Sequence, residues 1–150
     1  AVASVLAGQG VPYIAFDADT HLVKAMRVKG EPVFFGDGSK VDVLERAGTG
    51  EASALLITTD DAATSESTVK LVHEKWPELS ILVRARDASH SHELIAAGAS
   101  SVVPETLEAS LQLSGHVLCA LGLPREEANA CMEVIRRNNY DALPKAKAET

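Results

Sequence analysis

The chain has 150 residues, which is the size of one domain and is enough to bury a hydrophobic core. Apolar residues make up 46% of it and charged residues 23%, a composition that excludes an intrinsically disordered protein. The formal net charge of -7 argues against a nucleic-acid-binding protein, because phosphate recognition needs a positive field. No apolar run reaches the roughly 20 residues that span a bilayer, and no signal peptide is recognisable.

Short apolar runs alternate with amphipathic segments as far as residue 104. The apolar runs predict five strands, at 11–16, 32–35, 52–58, 81–86 and 101–103. The other segments predict helices at 1–9, 19–29, 41–47, 62–76 and 89–97, most of them ending near a glycine or a proline. Because the strands are apolar almost throughout, we expect burial on both faces, as in a parallel sheet. The pattern therefore predicts an α/β fold with a Rossmann-like, doubly wound parallel sheet.

The alternation ends after residue 104. Two helices are predicted there, at 105–121 and 125–138, separated by Gly122-Leu123-Pro124, and no strand follows them. We interpret them as a crossover or dimerisation element, because a helix pair beyond a finished sheet has little to pack on. The predicted organisation is a Rossmann-like nucleotide-binding domain at 1–104, crossover and dimerisation helices at 105–140, and a flexible tail at 141–150.

The end of the first predicted strand carries two carboxylates, Asp17 and Asp19. Ligands of doubly wound sheets bind at the carboxyl ends of the strands. A carboxylate at this place accepts hydrogen bonds from both ribose hydroxyls and repels a 2′-phosphate, which favours NAD or AMP over NADP. The alternative role is capping of the next helix, which suits Asp19 better and leaves Asp17 for the ligand. Both are candidate cofactor-binding residues.

A glycine-bearing turn, Gly36-Asp37-Gly38-Ser39, follows the next strand. Glycines let a flat base approach the backbone, Asp37 can accept a hydrogen bond from an amine or a ribose, and Ser39 can cap the following helix. The alternative is an ordinary loop with an Asx turn. Two such turns on adjacent strands predict that these four residues bind a cofactor.

Polar residues also end the later strands. Thr58 and Thr59 could face the nucleotide, while Asp60 or Asp61 caps the helix that follows. Arg84 and Arg86 lie two residues apart at a strand end, and paired guanidiniums there suit a carboxylate or phosphate. The alternative for the arginines is a salt-bridged rim with Asp87 or Glu105, and the sequence leaves both interpretations open.

No residue pattern indicates catalysis. The five histidines form no metal-like cluster, and no serine, cysteine or lysine lies in a nucleophile motif. The two cysteines, Cys119 and Cys131, fit buried free thiols in a reducing cytoplasm. The Gly-x-Gly-x-x-Gly turn of a dinucleotide fold does not occur, so we expect either that the first strand of that fold and its glycine-rich turn are missing from this sequence or that the chain cannot hold a pyrophosphate in the usual manner. The sequence favours binding over catalysis.

Several segments taken together are specific: FDAD, FFGDGSKVDVLERAG, ALLITTDD, VRARD and GASSVVPET. They resemble the nucleotide-binding regulatory domain of potassium channels and transporters, the RCK/KTN or TrkA-N family. The resemblance runs from about Ala1 to Asp141. Within the family it is strongest to the carboxyl-terminal domain of Kef-type glutathione-regulated potassium/proton antiporters.

The resemblance implies a domain at the cytoplasmic face of a bacterial inner membrane, attached to an amino-terminal membrane antiporter. It implies a homodimer through the 105–140 helices, and NAD(H) or AMP bound by Asp17 with Gly36 to Ser39 near the base. Glutathione would gate potassium efflux from the dimer interface. Arg84 and Arg86 match the VRARD segment of the family, and Asn139 matches an asparagine near the glutathione region.

The predicted function is therefore that of a ligand-sensing domain, not an enzyme, that gates potassium/proton antiport. One alternative is the NAD-binding fragment of a dehydrogenase, which would need a proton-transfer residue that the sequence does not show. The other is a soluble regulatory subunit of a Trk-type potassium uptake system.

Overall fold

A computed structural model of the chain describes residues 1–143 and divides it into two compact units, residues 1–51 and the residues from 52 onward. The division falls inside the predicted 1–104 domain, whose boundaries remain a prediction. The predicted tail at 141–150 starts on the last residue of a helix, and its residues 144–150 lie outside the described part.

The first unit, residues 1–51, contains a two-stranded parallel sheet. Its strands are β1 (Ala15–Asp17) and β2 (Val33–Phe35), paired so that Asp17 lies opposite Phe35. Its helices are α1 (Val2–Gly8), α2 (Thr20–Val28) and α3 (Val41–Arg46), followed by a 3₁₀ turn at Thr49–Glu51. One apolar side chain from α2, one from β2 and one from α3 are buried: Val23, Val33 and Leu44.

The second unit contains a three-stranded parallel sheet in the order β3-β4-β5. The strands are β3 (Ala54–Ile57), β4 (Ser80–Ala85) and β5 (Ser101–Pro104). The helices are α4 (Ala62–Lys75), α5 (Ala88–Ala97), α6 (Glu105–Ala120) and α7 (Arg125–Asp141). All strands therefore alternate with helices, as predicted, and α6 and α7 follow the last strand.

One face of this second sheet forms the core of its unit. Ile81, Val83 and Ala85 of β4 are buried, whereas Ser80 and Leu82 between them are exposed. The same alternation in β5 buries Val102 and exposes Val103. The prediction that the strands are buried on both faces is therefore wrong for this sheet, because α4 and α5 pack on it and only alternate residues are covered.

The strand orders confirm the predicted Rossmann-like fold class. The dinucleotide-binding order 3-2-1-4-5-6 contains, apart from its strand 1, the neighbouring pair 3-2 and the neighbouring triple 4-5-6. The described sheets, β1-β2 and β3-β4-β5, have these two orders, and every pairing is parallel.

The turn after α5 depends on a glycine. Gly98 has φ +116, in the left-handed region, and its N–H donates to the Ile95 carbonyl. A Cβ at this position would lie 2.4 Å from Cγ of His73. Both the backbone conformation and the packing of α4 against this turn thus require glycine at position 98.

Candidate nucleotide-binding site

Asp17 ends β1 directly beside the end of β2. Its backbone carbonyl accepts a hydrogen bond from the Gly36 N–H at 3.1 Å, so the two strand ends share one edge of the first sheet. Its side chain is half-buried, and Oδ1 accepts the Asp19 N–H at 2.8 Å. No hydrogen bond within residues 1–143 is made to Oδ2. The carboxylate is thus oriented by its own turn and retains an oxygen for a ligand.

Asp19 caps α2. Its Oδ1 accepts the N–H groups of His21 at 2.8 Å and Leu22 at 3.2 Å, which satisfies two donors that the helix itself leaves unpaired. The prediction that Asp19 is the better cap is confirmed. Its role as a cofactor-binding residue remains a prediction.

The turn after β2 is held by Asp37. Its Oδ1 accepts hydrogen bonds from the Ser39 hydroxyl at 2.6 Å and from the Ser39 N–H at 3.0 Å, and these lower the pKa of Asp37. This is the Asx turn that the sequence left open, and it keeps an exposed, ionised carboxylate beside β1. The prediction that Ser39 caps α3 is wrong, because Lys40 is the N-cap and Ser39 binds Asp37 instead.

The two glycines of this turn differ. A Cβ on Gly36 would lie 3.2 Å from Cδ1 of Phe16 and 3.3 Å from Cγ1 of Val43, tighter than ordinary contact. A Cβ on Gly38 would meet only Phe16, at 3.9 Å. Gly36 is therefore needed for packing inside the unit, a role that the sequence did not reveal, whereas a Cβ on Gly38 would make only ordinary contact.

A groove of about 400 Å³ lies elsewhere on the first unit, between α2 and β2. It is lined by Lys24, Arg27 and Phe35 among others, and Arg27 lies over the ring of Phe34 at 5.7 Å. Asp17 and Asp37 do not line it. The sequence analysis did not select these groove residues. The feature that could have indicated them is the pair of cations, Lys24 and Arg27, on the exposed side of a short helix.

In the second unit, Thr58 and Thr59 follow β3 directly and are exposed. Asp61 caps α4 by accepting the Thr64 N–H at 2.8 Å, and this hydrogen bonding lowers the pKa of Asp61. The prediction that Asp60 or Asp61 is a cap is confirmed for Asp61. The prediction that Thr58 and Thr59 contact a nucleotide remains open.

The two strand-end arginines already have acidic partners. Arg84 pairs with Asp60, and its Nη1 lies 3.6 Å from a carboxylate oxygen of Glu105. Nε of Arg86 lies 3.2 Å from the carboxylate of Asp87. Glu105 and Asp87 are the two acids that the salt-bridge alternative named. Binding of an external anion by these arginines therefore means competition with carboxylates of the chain itself.

The backbone of Arg86 is also fixed. Its N–H donates to Nδ1 of the buried His90 at 3.2 Å, and its carbonyl accepts the Thr106 hydroxyl at 2.7 Å. Asp87 caps α5 by accepting the His90 N–H, and this bond, with that from Arg86, lowers the pKa of Asp87. The end of β4 is thus attached to the first turns of α5 and α6.

Helices α6 and α7 pack on each other through a polar cluster that the sequence did not predict. Arg136 lies 3.1 Å from the carboxylate of Glu108, whose Oε1 also accepts the Tyr140 hydroxyl at 2.9 Å. Burial and the bond to Glu108 raise the pKa of Tyr140 to about 12. These partners are 28 and 32 residues apart in sequence, so no local pattern reveals them.

Three further residues in this helix pair can be compared with their predictions. Asn139 is exposed on α7, and its side chain donates to the Ile135 carbonyl at 2.8 Å. Cys119 is half-buried and Cys131 is exposed, both as free thiols, so the prediction of burial is wrong for Cys131. A groove of about 680 Å³ between α6 and α7 reaches Cys119, Arg84 and Glu105.

Neither a membrane-spanning helix nor a metal-binding cluster occurs in the described part of the chain. No helix there is both long and apolar enough to cross a bilayer. No group of three His, Cys, Asp or Glu side chains is arranged to hold a metal ion.

Comparison with known proteins identifies the family. The TrkA-N domain model matches residues 1–105. The chain is 38% identical over 142 residues to a K(+) efflux antiporter KefB, so named provisionally, from Alkalimonas amylolytica. It is 36% identical over 139 residues to the glutathione-regulated potassium-efflux system protein KefC of Enterobacter sp. (strain 638). The two matches include 95% and 93% of this chain. They include only 22% of either relative, so the chain spans a small part of their length.

Among solved structures, the Kef CTD of Shewanella denitrificans in AMP-bound form has the same fold. The TM-score is 0.68 at 24% identity, over 85% of this chain and 93% of that one. The GsuK channel bound to NAD is 28% identical with a TM-score of 0.60, over 68% of this chain and 18% of the channel. A Rossmann-like domain with acidic strand ends is the class that the fold and the site define. The chain belongs to the TrkA-N domain family.

Proposed function

We propose that the chain is a nucleotide-sensing regulatory domain of a potassium/proton antiporter of the Kef type, not an enzyme. The observation that carries the proposal is the half-buried Asp17 carboxylate, with one oxygen held by its own turn, at the strand end beside Gly36 and Asp37. The similarity to potassium-efflux proteins supports the transport context.

The chemistry of Asp17 favours a ribose. Oδ1 is oriented by the Asp19 N–H, and an ionised carboxylate in this orientation can accept both hydroxyls of a diol. A 2′-phosphate would be repelled by Asp17 and by the anionic Asp37 on the neighbouring turn. We therefore propose AMP or NAD(H) as the ligand, with the base over Gly36 to Ser39. AMP in the similar Kef domain and NAD in GsuK support this choice.

The proposed partners are a membrane antiporter domain, at the cytoplasmic face of a bacterial inner membrane, and a second copy of the chain. Relatives that are more than four times as long support the first. Dimerisation through 105–140 is supported by an exposed apolar stripe that runs along α6 to its C-cap residue, at Leu113, Val117 and Leu121, spaced four residues apart. Glutathione, as in the name of the KefC relative, is a proposed second ligand, with Asn139 and Arg86 as candidate contacts.

Regulation requires that the ligand distinguish two states of the transporter, because a ligand of equal affinity for both shifts nothing. The first test is the thermal stability of the purified chain with AMP, NAD, NADH and NADP. We expect AMP, NAD or NADH to raise the melting temperature and NADP to do so least. If none of the four changes it, the sensing function is wrong. Potassium efflux from vesicles containing the full-length antiporter, with and without the bound nucleotide, then tests gating.

A further inference from the structure

The groove between α2 and β2 of the first unit lies beside a cationic segment of an otherwise acidic chain. Residues 20–30 contain no acidic residue and three cations: Lys24, Arg27 and Lys29. All three are exposed, and none forms an ion pair within the described part of the chain. The acids on either side are engaged inside the unit, since Asp19 caps α2 and Glu31 accepts the Tyr13 hydroxyl. This surface therefore attracts anions, although the whole chain has a formal net charge of -7.

Apolar side chains stand beside these cations. Val28 of α2 and Phe35 of β2 line the groove and are 83% and 64% exposed. The groove is shallow and open to solvent, so it suits contact with a surface better than enclosure of a small molecule. The inward side of α2 stays packed on the unit through the buried Val23, so such contact requires no unfolding. Exposed apolar groups next to lysine and arginine are typical of surfaces that bind anionic lipid.

We propose that Lys24, Arg27, Val28 and Phe35 form a lipid-contact surface, which binds the anionic lipids of a membrane leaflet. The proposal rests on the proposed function, because that function attaches the chain to a membrane domain. A few cations and two apolar side chains bind lipid only weakly, since stable anchoring takes two signals. Attachment to a membrane domain supplies the second signal by raising the effective concentration of lipid. For this reason lipid is favoured over an acidic segment of a separate protein, which would have to bind through this small surface alone.

The surface is tested by cosedimentation of the 150-residue chain with vesicles at millimolar lipid. We expect binding to vesicles of phosphatidylglycerol and phosphatidylethanolamine, and much less to vesicles of phosphatidylcholine. Lys24→Gln/Arg27→Gln should weaken binding about tenfold or more, because each cation near an anionic surface contributes separately. Lys24→Gln alone should weaken it about fivefold and serves if the double variant does not fold. The control, Lys70→Gln/Arg137→Gln, removes the same charge from exposed positions of the second unit and should weaken binding less than about twofold.

The apolar part of the surface has its own variant. Val28→Gln should weaken vesicle binding about twofold or more, because the side chain then no longer enters the acyl boundary. Val134→Gln, the same change at an exposed position of α7, should not. Equal losses for the two double variants would show that only net charge matters, and would overturn the proposal. Absence of binding to the anionic vesicles would also overturn it, and would leave the cations to an acidic protein segment.

Thermal shifts with nucleotide separate this proposal from the proposed function. Because Asp17 and Asp37 do not line the groove, Lys24→Gln/Arg27→Gln should keep the wild-type response to AMP. A wild type that responds to AMP but does not bind anionic vesicles overturns the lipid-contact surface and leaves nucleotide sensing in place. A wild type that binds anionic vesicles through Lys24 and Arg27, but responds to none of AMP, NAD and NADH, supports the lipid-contact surface and overturns nucleotide sensing.

Discussion

The two units of the chain differ in how completely they bury their apolar residues. In the second unit, Val69, Val72, Ile81 and Leu94 have no exposed surface. In the first unit the most deeply buried apolar side chains retain 4–6% exposure. The well-buried unit holds its strand ends with ion pairs, whereas the less buried unit carries the carboxylate turns proposed to bind nucleotide. The deepest burial and the turns proposed to bind nucleotide thus lie in different parts of the chain.

The largest effect is expected from the core of the second unit. Leu94→Ala should lower the free energy of unfolding by about 2–5 kcal/mol, because it removes fully buried methyl groups and leaves a cavity. Leu71→Ala, the same change at a side chain that is 43% exposed, should cost no more than about 1 kcal/mol. Urea denaturation measures both, and similar losses for the two variants would contradict the assignment of the core.

Gly98→Ala should lower the free energy of unfolding by nearly as much as Leu94→Ala. The new Cβ requires movement of the His73 ring, and alanine is strained at φ +116, so we expect a loss of about 2–4 kcal/mol. Gly30→Ala is the control: it has φ +81 but open space, so only the backbone penalty of about 1–2 kcal/mol applies. Equal losses for the two glycines would show that packing against His73 does not matter.

A smaller effect is expected at the α6–α7 contact. Tyr140→Phe removes the hydrogen bond to Glu108 and should cost about 0.5–1.5 kcal/mol at neutral pH. The raised pKa adds a pH dependence, because the unfolded chain loses the phenol proton near the ordinary value of 10.0 and the folded chain only at about 12. The stabilisation is therefore complete below pH 10 and is lost as the pH rises towards 12. Unfolding experiments between pH 8 and 12 should show this slope in the wild type relative to Tyr140→Phe; parallel curves would contradict it.

The order of the elements could be predicted because strands and helices differ in apolar period, and capping by Asp19 followed from its position before α2. The exposed face of the second sheet could not be predicted, because an apolar run such as Leu55-Leu56-Ile57 does not show which face of the sheet a helix covers. The prediction that Ser39 caps α3 was wrong because the Ser39 hydroxyl donates to the neighbouring Asp37. The partners of Arg84 lie just after β3 and in α6, and of these the sequence analysis named only Glu105. Such long-range pairs depend on the fold and have no local signal.

The most direct test of nucleotide recognition is calorimetric titration of AMP into the wild type, Asp17→Asn and Asp42→Asn. The asparagine at position 17 keeps an oxygen for the Asp19 N–H but loses the charge that strengthens hydrogen bonds from the ribose. Asp42, in the first turn of α3, matches the charge change on the same unit. We predict that Asp17→Asn binds AMP about tenfold or more weakly and that Asp42→Asn binds like the wild type. Wild-type affinity in Asp17→Asn would contradict the account.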